Sequence, residues 1–372
     1  MSDGTILGAF SSAHWNSLLN AKAEMSKRYL SLESAPVRGV RAFRAVASSA
    51  KTATATNVVG VGVGEKYVDD QPTGIDVVKF LVKSKVMKSL LSRSEMLPST
   101  VNGFDTDVEE VGLIVPFAKA KTKAKALATA VAKTMPNPKT RIRPAQPGSS
   151  VGFEEPNKDF VMAGTFGALV KDTQGNLYVL SNNHVLANES GVMTDGQKHV
   201  GLDPGSPIFQ PGLLDGGRIA FDKIAELTRW IDLRADRTDN KVDCAIAKVA
   251  DSSLVSRDVL FIGAPQGQGT AAKDMIVHKF GRTTGYRVGR VSSTVFDVTI
   301  TYDVGAVGFV DQIVIRGLNA QSFSDAGDSG SAILERSTNK VVGLLFAGAT
   351  NGSMTFANPI ADVLTQLKVT LA

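Results

Sequence analysis

One cysteine, Cys244, stands in 372 residues, so no internal disulfide can hold this chain together. Stability has to come from core burial, for which the length and the 43% apolar content suffice. No apolar run approaches the length of a membrane span. The start, Met1-Ser2-Asp3-Gly4-Thr5, lacks the basic residues and long apolar segment of a secretory signal. These absences predict a cytoplasmic protein with no membrane partner. Zinc-ligand spacing, a Walker loop and an aromatic nucleic-acid platform are missing too, which predicts neither metal nor cofactor. The alternating glycines of 57–64 resemble a dinucleotide fingerprint only superficially, because no helix-opening run follows Gly64.

The net charge of +5 is concentrated in one tract. Between 118 and 143 stand Lys119, Lys121, Lys123, Lys125, Lys133, Lys139, Arg141 and Arg143 without a single acid, leaving the rest of the chain net acidic. This pattern predicts a basic linker over 118–147 rather than a folded nucleic-acid groove. The words Pro136-Asn137-Pro138 and Pro144-Ala145-Gln146-Pro147-Gly148 mark its end.

Against this background the tetrad Gly327-Asp328-Ser329-Gly330 stands out. A serine between glycines sits where the chain turns sharply, with the N–H groups of Gly327 and Ser329 placed to face a developing oxyanion. A plain glycine-rich turn is the alternative. An unassisted hydroxyl is a poor nucleophile and needs a general base with an orienting carboxylate. Of four histidines, His184 alone ends an apolar strand, Leu177-Tyr178-Val179-Leu180-Ser181, and enters a turn through Asn182 and Asn183. Asp243 opens the apolar run Cys244-Ala245-Ile246-Ala247, in which Cys244 reads as a core residue rather than a nucleophile.

The order His184, Asp243, Ser329, with the words around each, resembles trypsin-like, chymotrypsin-fold serine proteases. Gly281-Arg282-Thr283-Thr284-Gly285-Tyr286 resembles the segment that begins the second barrel in the bacterial alpha-lytic and streptogrisin-like branch. The resemblance implies two six-stranded antiparallel β-barrels in a mainly β domain at 148–372, with the active site in the cleft between them. It implies that Ser329 attacks a peptide carbonyl, His184 moves its proton, Asp243 orients His184, and Gly327 and Ser329 form the oxyanion hole. It further implies an ion pair between Arg282 and Asp328, the alternative being an exposed turn arginine. The substrate pocket would be lined by Phe323, Phe346, Gly348 and Met354, and would take an apolar or small side chain, although Asp325 could alter this. Secreted relatives use disulfides, whereas His278-Lys279-Phe280 precedes the second-barrel word here. Phe346 replaces the serine common at that wall position, so Asp243 needs another supporting partner.

Upstream, helical spacing of Trp15, Leu18, Leu19, Met25 and Tyr29 predicts a docking helix within 1–50. Strands at 57–64 and 75–82, a helix near 86–91 and a strand near 108–115 would make a small α/β domain over 51–117. That module reads as a retained regulatory or docking domain, with a pro-region and an oligomerisation element as alternatives. The whole is read as an endopeptidase acting on selected intracellular proteins, with a regulatory protein partner and a homo-oligomer left open. A catalytically idle protease fold used for binding, or an esterase with the same triad, are the competing readings.

Overall fold

The computed structural model describes residues 12–30, 57–68, 71–93, 95–116, 135–154, 162–319 and 321–372. The basic residues Lys119, Lys121, Lys123, Lys125 and Lys133, and the chain start, lie outside the described residues.

Helix α1 (Ser12–Tyr29) turns Leu18, Ala21 and Met25 onto strands β1 (Val58–Val68) and β2 (Gln71–Val82), where Val61, Val63 and Phe80 receive them. Its Lys22 forms a buried ion pair with Asp297 at 2.5 Å. The helix expected near 86–91 is instead a single 3-10 turn, Lys88–Leu90. The strand expected at 108–115 is divided. Strands β3 (Thr100–Val101) and β4 (Phe104–Glu110) end at Gly112, whose φ of +73° turns the chain into β5 (Ile114–Pro116).

The next sheet contains β6 (Ser150–Phe153), β7 (Gly164–Thr165), β8 (Ala168–Lys171) and β9 (Leu177–Ser181), followed by the short helix α2 (Asn183–Leu186). Strands β10 (Gly191–Val192), β11 (Lys198–His199) and β14 (Leu233–Arg234) form a small separate sheet. Strands β12 (Pro207–Phe209), β13 (Lys223–Trp230) and β15 (Ala245–Val249) complete the main one. Its order is β22-β8-β9-β15-β13-β12-β6-β7, with β22 at Thr370–Leu371. Because β7 and β8 are successive parts of one stretch, the two ends of this sheet meet. That closes the first barrel.

The second barrel is a ring of β16 (Ile276–Gly281), β17 (Gly285–Tyr302), β18 (Gly305–Gly317), β19 (Ala332–Glu335), β20 (Val341–Ala349) and β21 (Thr355–Pro359), closed by β16 pairing with β17. Helix α3 (Ile360–Leu367) follows Pro359 and buries Ile360, Val363, Leu364 and Leu367 in the apolar cluster shared by both barrels. The fold is thus mainly β, with a helix before it, as the sequence predicts.

Two features depart from the reading of separate modules. The β17–β18 hairpin outgrows its barrel, and β1 pairs with it at Gly60 opposite Val298 and Val61 opposite Asp297. The amino-terminal strands therefore continue the second barrel's sheet. A Cβ on Gly62 would fall 2.3 Å from the Phe296 ring, so here the glycine alternation serves close packing of β1 on β17. In addition, the end of the basic tract is packed down rather than free. Arg141 and Arg143 bond Asp222 and Gln210, and the fully buried Ala145 donates its amide to the Leu254 carbonyl and accepts from the Ser256 amide.

Candidate active site

His184 owes its position to the end of β9, where the chain leaves the sheet and makes one helical turn. Asp243 lies two residues before β15, which is hydrogen-bonded to β9. The geometry between them is tight. His184 Nδ1 lies 2.5 Å from Asp243 Oδ2, and both side chains are fully buried. A carboxylate can only accept, so Nδ1 carries the proton and the lone pair of the neutral ring sits on Nε2. Nε2 has no hydrogen-bond partner among the described residues. A buried, unpartnered ring nitrogen is costly and marks a group kept for something other than stability.

Asp243 is supported on every side. Its Oδ1 accepts from the amides of Asn183 (2.7 Å) and His184 (3.3 Å), and its own amide donates to Asn358 Oδ1 at 3.0 Å. The partner that sequence reasoning left unnamed is Tyr302, at the tip of β17, whose hydroxyl donates to Asp243 Oδ2 at 2.7 Å. Burial, and then the charge of Asp243, push the Tyr302 hydroxyl well above its usual pKa, which keeps it a donor. Phe346 takes no part in this support; its ring packs 4.9 Å from Phe309. Tyr302→Phe removes one hydrogen bond to a charged group, worth about 1.5–3 kcal/mol. Steady-state kinetics should show kcat lowered about 10- to 100-fold with KM nearly unchanged.

Ser329 lies in the loop before β19. Gly327 and Gly330, with φ of +97° and +91°, give this loop a left-handed course that other residues adopt only under strain. Thr165 ties the loop to the histidine strand. Its amide donates to the Ser329 carbonyl at 2.8 Å, its hydroxyl donates to the Gly327 carbonyl at 3.0 Å, and its carbonyl accepts from Ser181 Oγ at 2.8 Å. A Cβ on Gly330 would lie 2.1 Å from Ser181 Oγ, so the serine loop rests directly against the strand that leads into His184. The Ser329 hydroxyl donates to the Phe346 carbonyl at 3.2 Å, and the side chain is fully buried. On the neighbouring peptide, the Ala326 carbonyl is bound by Thr283 Oγ1 at 2.6 Å. The amide of that trans peptide, Gly327 N–H, therefore points the opposite way, and it has no partner within the chain among the described residues.

Beneath the loop the ion pairs differ from expectation. Arg282 does not pair with Asp328. It forms a buried two-point ion pair with Asp215, at 2.6 and 2.7 Å. The partner of Asp328 is Lys279, at 2.9 Å with both side chains fully buried, assisted by the amides of Thr283 and Thr284 and by the Thr284 hydroxyl. The cause is positional. Lys279 and Gly281 lie on the same face of β16, and a Cβ on Gly281 would come within 2.5 Å of Asp328 Oδ1, so this face passes directly under the carboxylate. Burial pushes the Asp328 carboxyl up, yet Lys279 and Thr284 outweigh it and hold it below the usual range.

Of the expected pocket residues, the structure brings Phe346 and Met354 together and sets Phe323 apart. Phe323 packs among Val277, Ile315 and Leu345, whereas Phe346 and Met354 belong to a different cluster with Ile114. The pairing of β20 with β21 is irregular between Leu345 and Ala347, and Leu345 falls in one cluster while Phe346 and Ala347 share the other. Gly348 lies opposite Val115 of β5. Cys244 is fully buried, and burial pushes its thiol well above the usual range, in keeping with a core residue. Among the described residues no helix is long and apolar enough to cross a membrane.

No protein-family model matches the chain. Protein NARROW LEAF 1 of Oryza sativa subsp. japonica is 24% identical over 319 residues, covering 79% of this chain and 51% of that protein. The chain thus spans about half the length of the curated relative it matches. Thermobifida fusca Protease A is similar over 61% of this chain and 97% of its own, at 16% identity and a TM-score of 0.40. Nocardiopsis protease is similar over 60% and 95%, at 13% identity and a TM-score of 0.40. An alpha-lytic protease homologue is similar over 61% and 98%, at 14% identity and a TM-score of 0.40. The chain is similar in these cases to bacterial serine proteases of known structure, a likeness that by itself carries no statement about activity.

Proposed function

We propose that the chain is a serine endopeptidase that cleaves apolar, extended segments of proteins through an acyl-enzyme. The observation that carries this reading is the buried His184–Asp243 pair, whose Nε2 is unpartnered among the described residues and whose strand, through Ser181, rests against the loop that bears Ser329. In the reaction the Ser329 hydroxyl turns from the Phe346 carbonyl to His184 Nε2. As its oxygen attacks the peptide carbonyl, the proton passes to Nε2 and the developing oxyanion accepts from the amides of Gly327 and Ser329. The C–N bond then breaks, with His184 returning the proton to the departing amine. Water, deprotonated by the same ring, hydrolyses the ester and restores Ser329. Asp243, held by Tyr302 and two amides, fixes the tautomer throughout and stabilises the imidazolium.

The amino-terminal helix and strands act as a regulatory element, joined to the catalytic half through β1 on β17. Incubation with apolar peptide anilides and matched esters tests the reaction class. Release of amine from the anilides, absent in His184→Ala, is the expected result; turnover of esters alone would place the enzyme among esterases.

A further inference from the structure

Strand β20 passes the serine loop and then offers its edge to another part of the chain. Leu345 exchanges main-chain bonds with Gly330 and Ser331, and the Phe346 carbonyl accepts the Ser329 hydroxyl. Beyond that point Ala347, Gly348 and Ala349 lie opposite Pro116, Val115 and Ile114 of β5, antiparallel. We infer that Ile114–Pro116 is an autoinhibitory segment of this chain: it fills the edge of β20 beside Ser329 and must leave before a peptide substrate can enter. The inference rests on the peptidase reading given above.

Direction is the first argument. Forward along β5, each residue moves toward Phe346 and therefore toward Ser329. A peptide in the same slot, running the same way, brings the residue after the one opposite Ala347 alongside the serine hydroxyl. Adding a strand to a sheet edge is a general way to hold a peptide, with main-chain bonds giving affinity and alternate side chains giving selectivity. The side chain that faces inward here is Ile114, 1% exposed among Phe346, Ala349 and Met354, so the slot selects an apolar residue at that place.

The second argument is closure. Ser329 and His184 are both fully buried while the slot is filled, and Nε2 is left without a partner. The main-chain hold of the occupant on β20 is short, while Ile114 anchors it in the core beneath. Only a three-residue strand lies on β20, extended by the Leu113 carbonyl on the Thr350 amide at 2.9 Å and the Leu113 amide on Thr350 Oγ1 at 3.0 Å. Gly112, at φ +73°, turns the chain into it.

The test reads binding, so it does not depend on turnover. In the full chain carrying Ser329→Ala, Ile114→Cys and Ala349→Cys place two thiols at directly opposed positions; the bonding at Leu113 and Thr350 makes this the close, non-hydrogen-bonded pair that suits a disulfide. A fluorescein-labelled hexapeptide containing Ile-Val-Pro is titrated by anisotropy before and after dithiothreitol. Reduction should tighten binding at least 10-fold, and Ile114→Ser in the Ser329→Ala chain should bind at least 10-fold tighter than Ser329→Ala alone. Equal affinity of the oxidised and reduced forms, or no binding by either, would overturn the inference. Peptide binding without any turnover in the Ile114→Ser chain that retains Ser329 would sink the peptidase reading and leave the inference standing.

Discussion

Ser329→Ala is expected to lower peptide turnover by about four to six orders of magnitude, the loss typical of removing the nucleophile from a triad. The change deletes one oxygen whose bond to the Phe346 carbonyl is worth only about 1 kcal/mol, so the fold should survive. His184→Ala should cost about as much, and the double variant little more than either, because nucleophile and base act as one unit. Loss of the oxyanion donors is a smaller matter, about two to three orders of magnitude for each donor. A set of initial rates on one apolar peptide for the two single variants and the double variant checks all of this. Additive losses would mean that Ser329 and His184 do not share a step.

The second large effect concerns stability. Lys279→Ala leaves Asp328 charged and fully buried without its cation, a change that costs about 3–5 kcal/mol. Its pH dependence carries a definite sign. In the intact protein the folded pKa of Asp328 is depressed, so its contribution is complete above the unfolded value of about 4 and is lost as pH falls through the folded value. Without Lys279 burial meets less opposition and the folded pKa rises, so the variant loses stability as pH climbs past about 4. The gap between the two proteins, measured by urea unfolding, should therefore be small in acid and widen toward neutral pH. At the alkaline end burial, the main influence on Lys279, lowers its folded pKa, so the unfolded chain holds the extra proton there and this group's linkage does not lower stability as pH climbs. A gap that stays constant between pH 3 and pH 7 would show that Lys279 acts through packing rather than charge.

Much of the site was legible because its parts are local words. The strand into His184, the run after Asp243 and the glycine-flanked Ser329 each specify their own backbone, and the structure forms a strand end, a strand start and a tight loop at those places. What stayed hidden depends on contacts across the chain. Tyr302 reaches Asp243 over 59 positions from the tip of a hairpin whose length no single word announces. Lys279 stands two residues before the second-barrel word, but a buried lysine has no local signature, and Arg282, three positions on, is the more conspicuous cation. Distance from Ser329 along the chain does not reveal the irregularity of β20 between Leu345 and Ala347, past which Phe346 lies in a different cluster from Leu345 and Phe323. The helix near 86–91 rested on a short apolar pattern that one 3-10 turn satisfies.

The Phe346 carbonyl now reads as the hinge of the account: with β5 in place the serine hydroxyl donates to it, and catalysis requires that hydroxyl to turn to His184. The most direct measurement is therefore the position and base dependence of a fluorophosphonate adduct. The full chain and its Ile114→Ser variant are each treated with the probe and mapped by peptide mass spectrometry. A single adduct on Ser329, formed faster in Ile114→Ser and abolished by His184→Ala, is the expected result. An adduct on another residue, or none on Ser329 in either protein, would contradict it.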